Sequence, residues 1–214
     1  SNDVAGIATI GIGIFSFNAK RVGFKVEAIE MSPTACAFLR DKVQISVENT
    51  NDVADALARS TKSYDAIVLW HSLEHLPQPW RVIRNAQQRL KPDGVLIVAI
   101  PNIACSQAVF LGERWLHLDA PRHTYFWSPE ALTHLGRRSG LKLLESNTKD
   151  RLSRNLEIMA WQHRIRTVVR IPVVRRLVGL VLAPILTLLL SRKGGAGITS
   201  VFGVDHSEVP PGQQ

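Results

Sequence analysis

Three ionisable side chains follow a short apolar run in the stretch YDAIVLWHSLEHLPQPW, residues 64–80. Residues 65–70 have the composition of a strand that is buried on both faces of a parallel sheet. His71, Glu74 and His75 then come within five positions of its end. Open α/β sheets bind their ligands outside the carboxyl ends of their strands. We therefore expect the chemistry of this protein at this loop.

The same three residues match the H-x-x-E-H pattern of some zinc proteases. In those enzymes both histidines bind the metal from one face of a helix. Here Pro77 and Pro79 follow at once, so at most one helical turn fits after the strand. The sequence therefore argues against a protease. The alternative that His71 and His75 only hydrogen-bond the loop backbone stays open.

Alternating strands and helices must position this loop. The apolar patterns predict strands at residues 24–29, 43–47, 65–70, 95–100 and 141–145, and helices at 16–22, 32–41, 52–59, 80–90 and 128–140. Ser32 and Ser128 occupy N-cap positions, and each is followed by a proline. This order is typical of a parallel sheet covered on both faces. We predict an α/β fold with a Rossmann-like, doubly wound and mainly parallel sheet.

The predicted organisation has three parts. Residues 1–150 form the Rossmann-like domain, with a truncated first strand. Residues 151–192 form a basic and apolar helical appendage, and residues 193–214 contain an antiparallel edge strand at 198–203 and a disordered tail.

Two glycines, Gly11 and Gly13, lie between a weakly apolar start and the first predicted helix. A glycine turn there lets a ligand approach the backbone and the helix N-terminus. Glu30 ends the next predicted strand, 17 positions after Gly13. That separation is close to the roughly 20 residues at which a ribose-binding carboxylate follows such a turn. Taken alone, a G-x-G pattern is more often a packing device than a nucleotide site.

A long connection at residues 101–127 has the composition of a binding loop or lid. It holds aromatic and ionisable side chains, namely Trp115, His117, Asp119, Arg122, His123 and Tyr125.

Positive charge is unevenly distributed along the chain. The formal net charge is +8, and arginines are concentrated between residues 137 and 176. Such a patch predicts a surface partner, or else a solvated helix face. We expect no nucleic-acid partner, because few aromatic residues are interleaved with the arginines. Cys36 and Cys105 are far apart in the sequence, so we expect buried free thiols in a reducing compartment.

Residues 164–190 combine arginines with apolar residues, and we predict a monotopic element on an anionic membrane surface, in which the uncharged run 177–190, broken by Pro184, forms a helical hairpin. The uncharged run 177–190 would be about 21 Å long as a helix, short of the roughly 30 Å hydrocarbon core. It is therefore expected not to span a bilayer. The alternative is an extra core helix that packs on the sheet. If this element binds the membrane, we expect the protein in the cytoplasm, bound peripherally to the inner membrane face.

With these residues in place, the chain resembles the class I S-adenosylmethionine-dependent methyltransferases, and is similar to the ubiquinone-type O-methyltransferases among them. The resemblance is carried by VEAIEMSPTA, YDAIVLWHSLEHLPQPW, LKPDGVLIVAIPN and PRHTYFWSPEAL, and it covers about residues 6–145. The first motif of the family departs here, because Ile7 stands at its acidic position and Thr9 at its first glycine.

The resemblance implies S-adenosyl-L-methionine as cofactor and a lid over the acceptor. The cofactor-binding residues would be Gly11, Gly13, Glu30, Met31, Asp52, Trp70 and His71. The substrate-binding residues would be Asn102, Arg122 and Tyr125, and the catalytic residues His123, His75 and Glu74. His123 is our candidate for the base that deprotonates an acceptor hydroxyl, because neutral imidazole titrates near working pH. A structural hydrogen bond is the alternative role of His123.

We therefore predict methyl transfer to a small or lipid-like acceptor, at oxygen. We assign no metal ligands, although a divalent cation on Glu74 and His75 that orients the acceptor hydroxyl is an open alternative. The rival function is a non-catalytic methyltransferase-like module for binding or for a membrane surface, which Ile7 and Thr9 favour.

Overall fold

A central β-sheet organises the computed structural model, which describes residues 6–10, 14–190 and 194–207. The strands in these ranges are β1 Gly6–Ile10, β2 Lys25–Glu30, β3 Ser46–Asn49, β4 Tyr64–Trp70, β5 Leu90–Pro101, β6 Leu141–Asn147 and β7 Gly197–Val204. They form one sheet in the order β3-β2-β1-β4-β5-β7-β6. Strands β1 to β5 pair in parallel, and β7 is antiparallel to both of its neighbours. The predicted α/β fold with a mainly parallel sheet is confirmed.

Helices connect the strands. They are α1 Ile14–Arg21, α2 Pro33–Phe38, α3 Val53–Arg59, α4 Pro79–Arg89, α5 Ser106–Leu111, α6 Pro129–Arg138, α7 Arg151–Val168 and α8 Pro172–Leu190. The N-caps predicted from the sequence are present, since the hydroxyl oxygens of Ser32 and Ser128 accept hydrogen bonds from the third residue after them.

Both faces of the sheet are covered, as the apolar run of β4 predicts. Ile67 and Leu69 pack in a cluster with residues of α3, α4 and α6. Val68 points the other way, into a cluster with α1 and the turn after α2. All three side chains are fully buried. Because β1 lies between β2 and β4, the strand order reverses beside β1, and a crevice at the carboxyl ends of these strands is the expected ligand site.

The antiparallel strand predicted at residues 198–203 exists as β7, but it is not the outermost strand. It pairs with β5 on one side and with β6 on the other, so β6 lies at the edge. Residues 151–190 are therefore a helical insertion between two strands that lie side by side. The tail at 208–214 lies outside the described residues.

Three local predictions need correction. The third strand starts at Ser46 instead of residue 43, because a π-helical turn at Leu39–Val43 extends helix α2. The strand predicted at 95–100 starts at Leu90, so β5 also includes residues 91–94. The connection 101–127 contains α5 and two short 3-10 turns, Gly112–Arg114 and Leu116–Leu118. Both cysteines are free and buried, and burial raises the pKa of the Cys105 thiol to about 11.

Candidate active site

Glu30 lies where it was predicted, at the carboxyl end of β2. Its side chain is buried, and its Oε1 accepts a hydrogen bond of 2.7 Å from the backbone N–H of Ser32. Its backbone carbonyl accepts another of 2.9 Å from the side chain of Asn49. The carboxylate is thereby fixed beside the end of β1. Gly11 and Gly13, which would complete this part of the site, lie outside the described residues.

His71 directly follows β4 and has a left-handed backbone conformation, with φ of +48°. This conformation is uncommon for residues other than glycine and is concentrated at functional sites. The backbone N–H of His71 donates to the carbonyl of Ala99 at 2.7 Å, so the turn is tied to β5. The turn sends the chain into the 3-10 turn Leu73–His75.

Glu74 is buried in that turn. Its Oε1 lies 3.5 Å from Nδ1 of His71, and its Oε2 has no hydrogen-bond partner among the described residues. The backbone carbonyl of Glu74 accepts hydrogen bonds from the N–H and the hydroxyl of Thr124, at 2.9 and 3.1 Å. The lid residues are thus held against the loop after β4. A buried carboxylate oxygen without a partner is costly, which suggests that it serves a ligand.

His75 and His123 face each other, with ring centroids 4.7 Å apart. Nδ1 of His75 lies 3.0 Å from the carbonyl of Arg122, and Nδ1 of His123 lies 2.8 Å from the carbonyl of His117. Carbonyls only accept hydrogen bonds, so both rings carry their proton on Nδ1. In the neutral rings, each Nε2 is then left with a lone pair for a proton or a metal ion.

Glu74, His75 and His123 form the cluster at the centre of the site. One ligand atom from each residue lies within 4.8 Å of those of the other two. Two imidazoles and a carboxylate suit a divalent transition metal, and histidine ligands are commonly oriented by a backbone carbonyl on the other ring nitrogen. The same arrangement also suits proton transfer. All three residues were predicted from the sequence as catalytic, but none was assigned as a metal ligand.

His117 contacts the cluster through its backbone carbonyl, which accepts from His123. It was not among the site residues predicted from the sequence. Its side chain is buried, and its Nε2 lies 3.0 Å from the carbonyl of Leu156 in α7. Burial is the main cause that lowers the pKa of His117. The neutral ring therefore donates from Nε2 to α7, while its carbonyl orients His123. Its place among the polar lid residues was the signal in the sequence.

Three of the remaining predicted cofactor residues lie around the crevice. Met31 is exposed just after β2, and Trp70 packs on Phe15 with ring centroids 5.4 Å apart. Asp52 caps α3, because its Oδ1 accepts from the backbone N–H of Asp55 at 2.9 Å. It also lines a cavity of about 190 Å³ between α3 and the loop after β4, together with Val53, Leu76 and Val82 among others. An apolar slot with a polar rim suits a planar base.

The predicted substrate residues divide into two groups. Tyr125 lies beside the cluster and donates its hydroxyl to the carbonyl of Pro77 at 3.1 Å. Arg122 contributes its backbone carbonyl to His75, while its guanidinium pairs with Asp119 at 2.8 Å in solvent.

Asn102, the third predicted substrate residue, is held by two backbone groups. Its side-chain amide donates to the carbonyl of Gly195 at 3.0 Å and accepts from the N–H of Ala104 at 3.0 Å. Both ends of the buried amide are used by backbone groups, so it fixes the end of β5 against the start of β7.

Comparison with known proteins decides the family. A protein family described as "Methyltransferase domain" matches residues 10–146, more than half of the 214-residue chain. The chain belongs to this methyltransferase family. The predicted class I methyltransferase fold, with S-adenosyl-L-methionine as its cofactor, is confirmed at the level of the family.

Curated relatives include a "Ubiquinone biosynthesis O-methyltransferase" of Xanthomonas oryzae pv. oryzae, to which the chain is 29% identical over 136 residues. That alignment covers 58% of this chain and 56% of the relative, so the chain spans just over half the length of the curated relatives it matches. A second relative of that name, from Xanthomonas axonopodis pv. citri, is also 29% identical, over 144 residues, with 62% and 60% covered.

A solved structure with the same fold is a SAM-dependent methyltransferase from Archaeoglobus fulgidus. Its TM-score is 0.61 at 18% identity, and the match covers 94% of this chain and 86% of that one. At this identity the likeness supports the fold alone.

Within this methyltransferase fold, Thr9 replaces a glycine of the first motif without leaving a polar group unpaired. Its hydroxyl bonds that of Ser16 at 2.7 Å and also lies 3.2 Å from the carbonyl of Glu27. The substitution therefore adds a hydrogen bond between β1 and α1. Together with the buried carboxylate of Glu30 and the cavity beside Asp52, the residues described fit a nucleoside cofactor.

Proposed function

We propose that the protein is an S-adenosylmethionine-dependent methyltransferase that methylates an oxygen atom of a small or lipid-like acceptor. The observation that carries the proposal is the convergence of Glu74, His75 and His123 at the carboxyl end of β4. The curated relatives named as O-methyltransferases support oxygen as the acceptor atom. We place the enzyme in the cytoplasm, at the inner face of a membrane with anionic lipids.

Methyl transfer to oxygen accounts for a base, His123, beside the crevice. The cofactor supplies an electrophilic methyl group, and an acceptor hydroxyl must lose its proton as it reacts. Nε2 of His123 takes this proton, because Nδ1 already donates to the carbonyl of His117. The buried carboxylate of Glu74 stabilises the positive charge that develops on the imidazoles. Glu30 binds the ribose hydroxyls, and Asp52 lies at the rim of the base slot.

The base assignment is tested by replacing His123 with alanine. Loss of a general base costs about a hundredfold or more in turnover, whereas the affinity for the cofactor product should not change. The measurement is release of S-adenosylhomocysteine with a panel of phenols and catechols, with and without an alkyl tail. His134, which is exposed on α6, provides the control variant His134→Ala. Wild-type turnover of His123→Ala on an accepted substrate would remove the residue from the reaction.

A divalent cation is a second way for the same three residues to act. The cation would orient the acceptor hydroxyl and lower its pKa, which reduces the need for a base. Chelation with EDTA followed by addition of Mg²⁺ or Mn²⁺ separates the two roles. Loss and recovery of turnover support the cation, and unchanged turnover supports proton transfer by the histidines alone.

The rival function is a non-catalytic module with weak cofactor binding. Calorimetric titration with S-adenosylhomocysteine decides between the two, because Thr9 and Ile7 depart from the motif that normally binds this ligand. A dissociation constant in the micromolar range supports the enzyme. Absence of binding at millimolar ligand would contradict it.

A further inference from the structure

Most of the large apolar side chains of helix α8 are exposed to solvent, whereas its fully buried residues are small. Gly179, Ala183 and Thr187 recur every fourth residue and are buried. Ala183 packs with Trp161 and Ile165 of α7. The exposed apolar residues of α8 are Val173, Val174, Leu177, Leu180, Val181, Leu182, Ile185, Leu188 and Leu189. We call this exposed set the outer face of α8.

This arrangement is the reverse of that in a helix adapted to water. Surface helices of water-soluble proteins turn their large apolar residues toward the core and expose polar ones. Helices in lipid pack through small residues, because lipid tails solvate leucine as well as another helix does. The segment Pro172–Leu189 has a mean hydropathy of 1.8 and is only 18% buried, and it is long and apolar enough to cross a membrane. The outer face is therefore suited to an apolar medium.

The topology favours a helix that lies on the membrane over one that crosses it. Strands β6 and β7 pair side by side, with Asn147 opposite Thr199, so the chain leaves and re-enters the sheet at one place. Helix α8 could enter the hydrocarbon only together with α7. That helix carries charged residues along its length, including Arg154, Glu157, Arg164 and Arg166. Moving these charged side chains into hydrocarbon would cost too much free energy. The α7–α8 hairpin can instead bury the outer face at the interface.

Charge identifies the kind of surface. Residues 151–190 contain seven arginines and a single acidic residue, Glu157, which is buried. Arg166, Arg170 and Arg176 are exposed around the turn between α7 and α8. A second copy of this hairpin would bring the same positive charge, so it would be repelled. Anionic lipid headgroups provide the opposite charge next to an apolar layer.

The hairpin is also joined to the catalytic cluster. On one side α7 packs against the lid, where Leu156 and Ala160 share an apolar cluster with Trp115. The carbonyl of Leu156 accepts from His117, and the carbonyl of His117 accepts from His123. Two hydrogen bonds thus connect α7 to the candidate base.

We propose that the outer face of α8 and the adjacent arginines dock this protein on an anionic bilayer. The bilayer then delivers a lipid-like acceptor to the site beside His123. The second part rests on the proposed function, whereas the docking itself does not. Binding is therefore measured separately from activity.

The experiment is co-sedimentation of the 214-residue protein with vesicles of phosphatidylcholine alone or mixed with phosphatidylglycerol, at low and high salt. We expect binding to the mixed vesicles at low salt and weaker binding at high salt. The variant Leu180→Asp/Leu188→Asp should lower the bound fraction about tenfold or more. The control Val22→Asp changes an exposed valine between α1 and β2 and should bind normally.

A second pair of variants tests the charge. Arg170→Glu/Arg176→Glu should abolish the preference for phosphatidylglycerol, and Arg137→Glu/Arg138→Glu at the end of α6 should keep it. The docking proposal fails if the protein stays in the supernatant at low salt, or if the controls lose binding equally. It also fails if sedimentation velocity shows a dimer that Leu180→Asp/Leu188→Asp dissociates while vesicles are not bound. Turnover of a short, water-soluble acceptor should be unchanged in every docking variant, so that loss of binding with retained turnover separates docking from catalysis.

Discussion

Replacing Glu74 by methionine should separate the catalytic role of this residue from its effect on stability. Its Oε2 is buried without a partner among the described residues. An unsatisfied buried polar group costs about 1–3 kcal/mol. Methionine has a similar volume and needs no partner. We therefore expect Glu74→Met to be as stable as the wild type, or more stable by about 1 kcal/mol, which corresponds to roughly 2–4 °C in Tm for a domain of this size.

Activity should move in the opposite direction. Loss of the carboxylate removes one of the three converging groups, and turnover should fall by about a hundredfold or more. The assays are thermal unfolding by circular dichroism and release of S-adenosylhomocysteine. A gain in stability with a loss of activity is typical of a residue retained for function.

Glu27 provides the matched control, since it is a carboxylate with partners. It accepts a hydrogen bond from the hydroxyl of Tyr64 at 3.0 Å and pairs with Lys62. Glu27→Met should lower stability by about 0.5–1.5 kcal/mol and leave turnover unchanged. The catalytic role of Glu74 would be refuted if Glu74→Met were destabilised by more than about 2 kcal/mol and still turned over normally, because the carboxylate would then be a structural group.

Substitutions and pH changes at other residues have equally definite expected outcomes. Glu30→Gln keeps an acceptor for the N–H of Ser32 but loses the charge, so calorimetry should show affinity for S-adenosylhomocysteine about tenfold lower, or roughly 1.4 kcal/mol. Because the pKa of His117 is lowered in the folded protein, its contribution to stability is complete above the unfolded value of 6.5 and is lost as the pH falls below it. The free energy of unfolding should therefore fall between about pH 7 and 5.5, by at most about 1.4 kcal/mol per pH unit, and by less in His117→Gln. Gly136→Ala should destabilise by about 1–3 kcal/mol in urea unfolding, since a Cβ would lie 2.6 Å from the ring of Phe202. Gly179→Ala, where the nearest atom is 3.9 Å away, should stabilise α8 by about 0.5–1 kcal/mol instead.

Predictions that depend on neighbours in the sequence were the most accurate. Ser32 and Ser128 cap their helices because an N-cap bonds an amide only three residues ahead. The apolar run of β4 predicts burial on both faces of the sheet, and this prediction does not depend on which strands lie beside it. The start of β3 was wrong because a π-helical turn, which has no simple sequence signal, continues to Val43.

The candidate site residues were named from the sequence, but their geometry could not be predicted from it. Glu74 and Thr124 are 50 positions apart, and the hydrogen bond between them brings the lid to the loop after β4. The part played by His117 depends on its burial and on the carbonyl of Leu156, neither of which can be predicted from spacing. For Asn102, the sequence does not reveal that its amide bonds the carbonyl of Gly195, 93 positions away.

The sequence by itself determined the alternation of strands and helices and the parallel sheet, because these depend on local periodicity and on residue type. The candidate site residues were named through the resemblance to a family. Only the tertiary structure decided that β7 enters between β5 and β6, and that His75 and His123 face each other with each Nδ1 at a backbone carbonyl. It also decided which side of α8 faces the protein. The leucines of that helix are equally apolar in either orientation, and the packing of its small residues, such as Ala183, on α7 decides which of them are exposed. Contacts between distant segments set these features, since no single segment has a preference strong enough to fix them.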